Sequence, residues 1–353
     1  MSVKRIVVLG ATGSIGRQAL ELIDANAELE LVAASSGTTP IDGLAPLTQV
    51  GGDVTELLER ARADVVLNAI VGFVGVRATL WALEHGVTLA LANKESLVAA
   101  GDLALAAKER GGGLLLPVDS EHSAMLQLLA DRSPDQVRSL VLTGSGGPFR
   151  GRRREELEDV TPDEALAHPT WTMGPKITVD SATLANKGLE VLEAHFLFGL
   201  PYDRIEVVVH PTSIVHALVR LRDGAVLAHL GYPDMRMPIS YALTYPARAA
   251  TPVPQLDLAS GLTLEFEAPN LDVFPLLMLA REAGERGGTY PCAYNAANEV
   301  AVATFLEGRI GFLDISALVA DVLEHVDGSP ARDLDELAQA DARARELVGA
   351  AWA

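Results

Sequence analysis

The feature that most constrains the fold is a regular alternation of strand-like and helix-like segments over the first third of the chain. The apolar, strand-like segments are residues 5–10, 29–34, 64–69, 87–92 and 114–118, and helical patterns fill residues 12–24, 75–85 and 95–110 between them. Strands that alternate with helices build a parallel sheet with helices on its faces. The sequence therefore predicts an α/β fold that begins with a Rossmann-like parallel sheet.

A glycine-rich turn joins the first predicted strand to the first predicted helix. It carries Gly10, Gly13 and Gly16, and glycines at such a turn let backbone amides approach a pyrophosphate at the positive end of the helix. A glycine-rich turn that binds nothing is the alternative, and we favour dinucleotide binding. Residues 35–39, at the end of the second strand, contain no Asp or Glu to bind a ribose 2′-hydroxyl. Their hydroxyl groups favour NADP(H) over NAD.

The rest of the chain predicts a second sheet and a helical tail. Residues 140–143, 205–209 and 225–230 have strand patterns, and the last two are expected to be antiparallel neighbours. Pro246, Pro252 and Pro254 indicate an extended connector. Helical patterns follow at residues 274–286, 294–307, 314–326 and 333–348. The predicted division is a nucleotide-binding domain at 1–121, an α+β catalytic domain at 122–245, a linker at 246–273 and a helical domain at 274–353.

Composition excludes several classes of protein. The formal net charge of -19 argues against nucleic-acid binding, because phosphate backbones attract Lys and Arg. No apolar stretch approaches the roughly 18–20 residues of a membrane span, so no membrane partner is expected. The single cysteine, Cys292, excludes an internal disulfide and a multi-thiolate zinc site and is expected to be a buried thiol. Residues 1–5 lack the features of a secretory signal, and we expect a cytoplasmic enzyme.

Asp119 and Glu121 form a candidate metal site. They follow the apolar segment 114–118 at a spacing of two, and on an extended backbone alternate side chains share a face. Two carboxylates on one face favour a hard divalent cation with oxygen ligands. Acids near the first turn of a helix at 123–129 are the alternative, because they interact well with the helix dipole.

Asn186, Lys187 and Glu190 form a second polar group, on a helix predicted to follow Asp180. Their spacings of three and four residues place them on one helix face. Glu190 would add a third carboxylate to the metal site. The alternative is an ordinary solvated Lys and Glu pair, which stabilises a helix weakly.

Two further segments carry chemical groups at turns. Residues 93–95, Asn-Lys-Glu, follow a strand at the carboxyl edge of the sheet, where α/β proteins bind ligands. Residues 143–149 and 168–175 are rich in Gly and Pro and carry His168 and Trp171, which suggests either a lid that excludes water or a surface loop. His210 and His216 follow, and either could be a core residue.

Taken together, these motifs resemble those of the 1-deoxy-D-xylulose-5-phosphate reductoisomerase family. The matching segments, in the expected order over nearly the whole chain, are residues 10–16, 92–97, 117–122, 144–149, 168–174, 179–190, 210–216, 232–236 and 295–299. The resemblance implies that NADPH and a divalent metal are used to rearrange and reduce 1-deoxy-D-xylulose 5-phosphate, a phosphorylated ketose, to 2-C-methyl-D-erythritol 4-phosphate. This is a step of the methylerythritol phosphate pathway to isoprenoids.

The resemblance also implies roles for individual residues. Those implied as ligands of Mg²⁺ or Mn²⁺ are Asp119, Glu121 and Glu190. Those implied to bind substrate are Lys94, Ser120, Glu121, Ser145, His168, Ser181, Asn186, Lys187 and Glu190, and those implied as catalytic are Lys94, Glu121 and His216. The implied NADPH contacts are Thr12, Gly13, Ser14, Ile15, Gly37, Thr38, Thr39, Asn93, Glu95 and Gly174, and the implied lid residues are Trp171 and Met173. Some family members carry Lys where this chain has Thr38.

Two other functions fit part of the sequence. A semialdehyde or homoserine dehydrogenase would share the nucleotide domain, but no Cys lies near the middle of the chain to act as a semialdehyde nucleophile. An ordinary dehydrogenase also needs no site with three carboxylates. A non-catalytic NADP-binding regulator would leave Lys187 and Glu190 unexplained. The family further suggests a homodimer through the second sheet.

Overall fold

The structure, a computed structural model, describes residues 3–171, 173–259 and 261–350. In that part of the chain the strands are β1 Lys4–Leu9, β2 Leu29–Ser36, β3 Leu47–Val50, β4 Val65–Asn68, β5 Thr88–Leu91, β6 Leu115–Pro117, β7 Val137–Gly144, β8 Ile205–Val209, β9 Val215–Leu221 and β10 Val226–Leu230. They form two sheets of six and four strands. The predicted α/β fold class is confirmed.

Helices cover or extend both sheets. They are α1 Ser14–Asp24, α2 Thr55–Ala61, α3 Val76–Glu84, α4 Lys94–Gly111, α5 Ser120–Leu129, α6 Pro162–Ala165, α7 Pro175–Ala182, α8 Ala185–Phe198, α9 Arg236–Thr244, α10 Leu276–Arg286, α11 Tyr290–Leu306, α12 Asp314–His325 and α13 Leu334–Ala350. All four helices predicted for the tail are present. Among the described residues, no helix is both long and apolar enough to cross a membrane.

The first sheet is parallel throughout, with strand order β3-β2-β1-β4-β5-β6. The order reverses between β1 and β4, and open α/β sheets bind ligands at the carboxyl ends of the strands at such a point. β3 was not predicted, because its four residues lack a continuous apolar run. The glycine-rich turn after β1 thus lies at the expected binding edge.

The second sheet has the order β10-β9-β7-β8. The prediction that residues 205–209 and 225–230 are antiparallel neighbours is wrong. β8 pairs in parallel with β7, whereas β10 pairs with β9, a strand missed in the sequence. β9 follows β8 in sequence but pairs antiparallel with β7 and β10, so both β7 and β9 lie between β8 and β10 in the sheet.

Contacts group the described residues into two compact units. The first is drawn from residues 1–97, 101–127 and 234–255, and the second from 98–100, 128–233 and 256–353. The core of the first unit is formed by apolar side chains of β1, β4, β5 and β6, and Ile239 and Leu243 of α9 belong to it as well. The chain therefore returns to the first unit at α9. The division into four domains stays a prediction.

The core of the second unit includes the helical tail. Tyr294 and Phe305 of α11 are buried, and Cys292 on the same helix is fully buried, as predicted. Burial raises the pKa of the Cys292 thiol, so this thiol stays protonated and unreactive.

We expect Gly16→Ala to destabilise the fold. A Cβ on Gly16 would lie 2.3 Å from the Gly10 carbonyl oxygen and 2.7 Å from the Ala11 Cα, both backbone atoms that cannot rotate away. Overpacking of this kind costs about 1–3 kcal/mol. Gly37→Ala is the matched control, because a Cβ there meets no described atom within 4 Å. Equal thermal unfolding midpoints for the two variants would contradict this account.

Candidate active site

The glycine-rich turn places backbone amides at the exposed start of α1. Gly10 has φ of 79°, and a Cβ there would lie 2.5 Å from the Ala69 carbonyl oxygen. Gly13 precedes α1 in an extended conformation, and the first amides of a helix have no partner within the helix. Four predicted cofactor residues, Thr12, Gly13, Ser14 and Ile15, lie on this turn. The geometry suits an anionic group.

The end of β2 adds hydroxyl groups in the same unit. Gly37, Thr38 and Thr39 are exposed, and Ser36 Oγ donates to the Thr39 carbonyl oxygen at 2.5 Å. β2 is the parallel neighbour of β1, so both turns lie at the same sheet edge. Hydroxyls without a carboxylate are compatible with a phosphorylated ribose.

Two buried asparagines, Asn68 and Asn93, hold the loop at residues 70–75. Asn93 Nδ2 donates to the carbonyl oxygens of Ile70 and Gly72, the latter at 2.9 Å, while its Oδ1 accepts from the Ser96 amide at 2.5 Å as the cap of α4. Asn68 Nδ2 donates to the Gly75 carbonyl oxygen at 2.9 Å. Sequence analysis named Asn93 and missed Asn68, whose position at the last residue of β4 was the available signal. Glu95 lies in the first turn of α4 and is half-buried.

Asp119 and Glu121 lie at a helix start and not on an extended strand. α5 begins at Ser120, and the Ser123 amide donates to the Asp119 carbonyl oxygen at 2.8 Å. The strand spacing assumed from the sequence is therefore wrong, because β6 ends at Pro117. The two acids still converge: a carboxylate oxygen of each lies within 4.8 Å of the other.

Lys94 lies beside these acids in the same unit. Its Nζ forms an ion pair with Asp119 Oδ2, and the Lys94 side chain is 8% exposed. Lys94 is therefore a buried, paired cation and not a solvated surface lysine. Ser120 Oγ donates to Glu121 Oε2, and His122 Nδ1 is 3.9 Å from Asp119 Oδ2. Two carboxylates, an ammonium, a hydroxyl and an imidazole therefore share one small region at the carboxyl end of β6.

In the second unit, the segment predicted as one helix is two. α7 ends at Ala182 and α8 starts at Ala185, because Leu184 adopts φ of 60° and interrupts the helix. Asn186, Lys187 and Glu190 do share one face of α8, as predicted. Ser181 comes from the preceding helix instead.

The polar face of α8 is buried, so the alternative of a solvated pair is wrong. Lys187 is 5% exposed and Glu190 is 1% exposed. Lys187 Nζ donates to Glu190 Oε2 at 2.5 Å and to the Thr143 carbonyl oxygen at 2.7 Å. Asn186 Nδ2 donates to Glu190 Oε1 at 2.5 Å. Both carboxylate oxygens of Glu190 therefore have partners from its own helix.

Ser145, His168 and Ser181 form a cluster of donors in the same unit. His168 Nε2 lies 3.0 Å from Ser145 Oγ and 3.1 Å from Ser181 Oγ. The amides of Thr170 and Trp171 donate to His168 Nδ1, so in the neutral ring Nε2 carries the proton. Burial and the nearby Lys187 ammonium lower the pKa of His168. The structure brings these three side chains together, and their implied role in substrate binding stays a prediction.

The lid prediction is not tested by this geometry. Trp171 and Met173 are half-buried, and residue 172 between them lies outside the described residues. Gly174 is exposed and precedes α7, where Pro175 occupies the first helical position. Whether residues 168–175 close over a ligand stays a prediction.

His210 and His216 are both core residues. His210 Nδ1 is 2.7 Å from the Glu265 carbonyl oxygen, and its ring stacks on Phe266. His216, on β9, is 3% exposed, and neither of its ring nitrogens has a hydrogen-bond partner among the described residues. Burial, with smaller effects of Lys187 and His210, lowers the pKa of His216 to about 4.

The buried His216 should make stability fall in mild acid. The unfolded chain protonates this imidazole near its ordinary pKa of about 6.5, whereas the folded protein does so only near 4. Stability is therefore complete above pH 6.5 and is lost as the pH falls toward 4, by about 2 kcal/mol between pH 7 and pH 5. Urea denaturation at pH 7 and at pH 5 should show that His216→Asn loses less unfolding free energy between the two pH values than wild type does. The exposed His325 supplies the control, and an identical pH dependence of wild type, His216→Asn and His325→Asn would contradict the assignment.

Profiles of known families match most of this chain. Residues 6–50 and 45–101 match the family described as 1-deoxy-D-xylulose 5-phosphate reductoisomerase. Residues 115–198 match the 1-deoxy-D-xylulose 5-phosphate reductoisomerase C-terminal domain, and residues 230–347 match the DXP reductoisomerase C-terminal domain. The three matches follow one another along the chain.

Individual relatives agree with these profiles. The 1-deoxy-D-xylulose 5-phosphate reductoisomerase of Mycobacterium marinum is 49% identical over 370 residues, covering 97% of this chain and 91% of its own. That of Mycobacterium tuberculosis is 50% identical over 348 residues, covering 92% of this chain and 84% of its own.

The structural similarity extends over nearly the whole chain. The Zymomonas mobilis reductoisomerase in complex with NADPH superimposes with a TM-score of 0.90 at 39% identity, over 99% of each chain. A reductoisomerase in complex with NADPH, fosmidomycin and magnesium has a TM-score of 0.90 at 36% identity, over 98% of each chain. This chain therefore belongs to the 1-deoxy-D-xylulose 5-phosphate reductoisomerase family.

Proposed function

We propose that this chain rearranges and reduces 1-deoxy-D-xylulose 5-phosphate to 2-C-methyl-D-erythritol 4-phosphate, with NADPH as reductant and a divalent cation as cofactor. The product would feed the synthesis of isoprenoid precursors by the methylerythritol phosphate pathway. The observation that carries the proposal is the buried Lys187 ammonium near the Ser145, His168 and Ser181 cluster. A sugar phosphate needs such a set of donors.

The phosphate end of the substrate would bind in the second unit. The two serine hydroxyls and the Nε2–H of His168 can donate to phosphate oxygens, and Lys187 supplies a positive charge that strengthens such bonds. The lowered pKa of His168 keeps its ring neutral at pH 7, so it acts as a neutral donor. Asn186, beside Lys187 on α8, completes the set.

The proposed metal ligands are Asp119, Glu121 and Glu190. The donor set fits, because Mg²⁺ and Mn²⁺ prefer carboxylate oxygens. Asp119 and Glu190 each pair with a buried ammonium, which marks both carboxylates as positions that attract positive charge. When bound, the ion would polarise a carbonyl and a neighbouring hydroxyl of the substrate.

NADPH would bind at the switch point of the first sheet. The turn after β1 fits, because a Cβ at Gly10 or Gly16 would collide with backbone atoms of Ala69, Gly10 or Ala11. The glycines therefore allow a tight turn that leads directly into the amides at the start of α1, where a phosphate can bind. The exposed hydroxyls of Thr38 and Thr39 would face the ribose phosphate. Asn93, Glu95 and Gly174 complete the proposed contacts, and the cofactor would supply the hydride.

Lys94, Glu121 and His216 are the proposed catalytic residues, and Lys94 and Glu121 would also contact substrate. Lys94 is a buried cation that pairs with Asp119, and it would donate to a substrate hydroxyl next to the reacting carbons. Ser120 bonds Glu121 and would hold its orientation. Trp171 and Met173 would close over the substrate and exclude water.

The decisive experiment follows NADPH absorbance after the substrate is added to the full chain. We expect oxidation that requires Mg²⁺ or Mn²⁺, stops on chelation and returns when metal is restored. Oxidation that is indifferent to metal would contradict the carboxylate site. An absence of oxidation by folded protein with bound NADPH would contradict the proposed reaction.

Glu190→Gln should abolish turnover but leave NADPH affinity within about twofold of wild type, because Glu190 lies in the unit that does not carry the Gly-rich turn. The loss should exceed about 100-fold, since catalysis by a metal depends on its ligand charge. Turnover and NADPH fluorescence titration provide the two measurements. Glu206→Gln, at a half-exposed carboxylate on β8, is the control. Retained activity in Glu190→Gln would remove this residue from the metal site.

We also propose a homodimer formed through the second sheet, in the cytoplasm. β10 is an edge strand, and its Val226 and Leu230 side chains are 49% and 38% exposed. Exposed apolar edge strands tend to pair with another chain.

Leu230→Lys should therefore shift the protein from dimer to monomer, as measured by analytical ultracentrifugation. A charge on the edge strand opposes pairing with a second copy. Leu258→Lys is the control, because Leu258 is 70% exposed and lies outside the sheet. A dimer that persists in Leu230→Lys would exclude this edge as the interface.

A further inference from the structure

We propose that Asn298, on α11, is a positioning residue for the substrate phosphate. It would act through Asp180, which it holds by a hydrogen bond, and thereby through α7, the helix that presents Ser181. The inference rests on the proposed function, since it concerns the same phosphate site.

Asp180 is a buried carboxylate held from two sides. It is 1% exposed, and its Oδ1 accepts a hydrogen bond of 2.8 Å from Asn298 Nδ2. Its Oδ2 forms an ion pair of 2.8 Å with Lys176 Nζ, one turn earlier on α7. Asn298 itself is fully buried. The bond to Asn298 joins residues 118 positions apart, so it ties α7 to the helical tail.

α7 needs a tertiary anchor of this kind. It has eight residues, and helices shorter than about 12–15 residues are marginal without tertiary contacts. Its C-terminal end is set by Leu184, whose positive φ interrupts the helix. The ion pair with Lys176 lies within α7 and cannot fix the helix against its surroundings, whereas the bond to Asn298 can.

Ser181 follows Asp180 directly, in the last turn of α7. Its Oγ lies 3.1 Å from His168 Nε2, which in turn lies 3.0 Å from Ser145 Oγ. A small rotation or shift of the end of α7 would therefore break the alignment of these three donors. Asn298 restrains that motion without adding charge, because its amide is neutral.

α11, the helix that carries Asn298, also contacts α8 next to Lys187. A Cβ on Gly188 would lie 3.0 Å from the hydroxyl oxygen of Tyr294, on α11, and 2.6 Å from the Cβ of Ala280, on α10. The Tyr294 hydroxyl donates to the Leu276 carbonyl oxygen at 3.1 Å. α11 therefore supports both helices that supply proposed phosphate donors.

The test compares Asn298→Ala with Asn295→Ala in the full chain. Asn295 is a matched control: it is equally buried and lies one turn away on α11, but its Nδ2 donates to Glu299 on the same helix and not to α7. Inorganic phosphate is the probe, titrated by calorimetry, and steady-state kinetics with the ketose phosphate give a second readout.

We expect the dissociation constant for phosphate to rise about tenfold in Asn298→Ala, the change that corresponds to loss of about 1.4 kcal/mol. NADPH affinity should stay within about twofold of wild type, because the proposed nucleotide site lies mainly in the other unit. Asn295→Ala should leave both affinities unchanged, whatever its effect on thermal stability. Equal phosphate affinities in the two variants would overturn the proposal.

A second pair of variants applies where Asn298→Ala fails to fold. Asp180→Asn keeps an oxygen that can accept the bond from Asn298, whereas Asp180→Ala removes it. Phosphate affinity near that of wild type in Asp180→Asn, with a loss in Asp180→Ala, would support the proposal. Equal losses of phosphate affinity in Asp180→Asn and Asp180→Ala would overturn the proposal. Wild-type protein that binds no phosphate would instead contradict the proposed function itself.

Discussion

The buried ion pair between Lys187 and Glu190 is the interaction on which the proposed site in the second unit depends. Removing two charges from water is expensive, and the attraction between them offsets this cost only when further hydrogen bonds satisfy both groups. Here the Thr143 carbonyl oxygen accepts from Lys187, and Asn186 donates to Glu190. Such a pair contributes little net stability, so its value lies in keeping an ammonium and a carboxylate ready at fixed positions.

The first unit repeats this arrangement with Lys94 and Asp119. In both units a proposed metal ligand is paired with a lysine, although the chain as a whole carries a net charge of -19. The local balance of charge matters more than the net charge of the chain, because buried charges are screened weakly and interact with their nearest partners. In the proposed function, the substrate phosphate would bind near the Lys187 ammonium, and the carboxylates would hold the cation that binds other substrate oxygens.

Sequence analysis predicted much of the fold and part of the candidate site, and its failures have physical causes. The alternation of strands and helices is a long-range pattern, so the parallel sheet was predictable, and the spacing of Asn186, Lys187 and Glu190 placed them correctly on one helix face. The break at Leu184 was not predictable, because Leu rarely adopts positive φ and only the surrounding packing maintains it. Asp119 and Glu121 were misplaced on a strand, since an acid pair between an apolar run and a helix fits either structure locally.

Sequence analysis assigned Asn93 but gave no role to two other buried amides, Asn68 and Asn298. Asn68, Asn93 and Asn298 each donate a side-chain N–H to a group on another segment, yet in a sequence Asn is read as a turn or cap residue. A buried amide needs its partners, so each one fixes the segment it contacts. It does so without changing the local charge that the site must keep for its ligands. The charged residues thus carry the proposed chemistry, and these amides fix the segments that they contact.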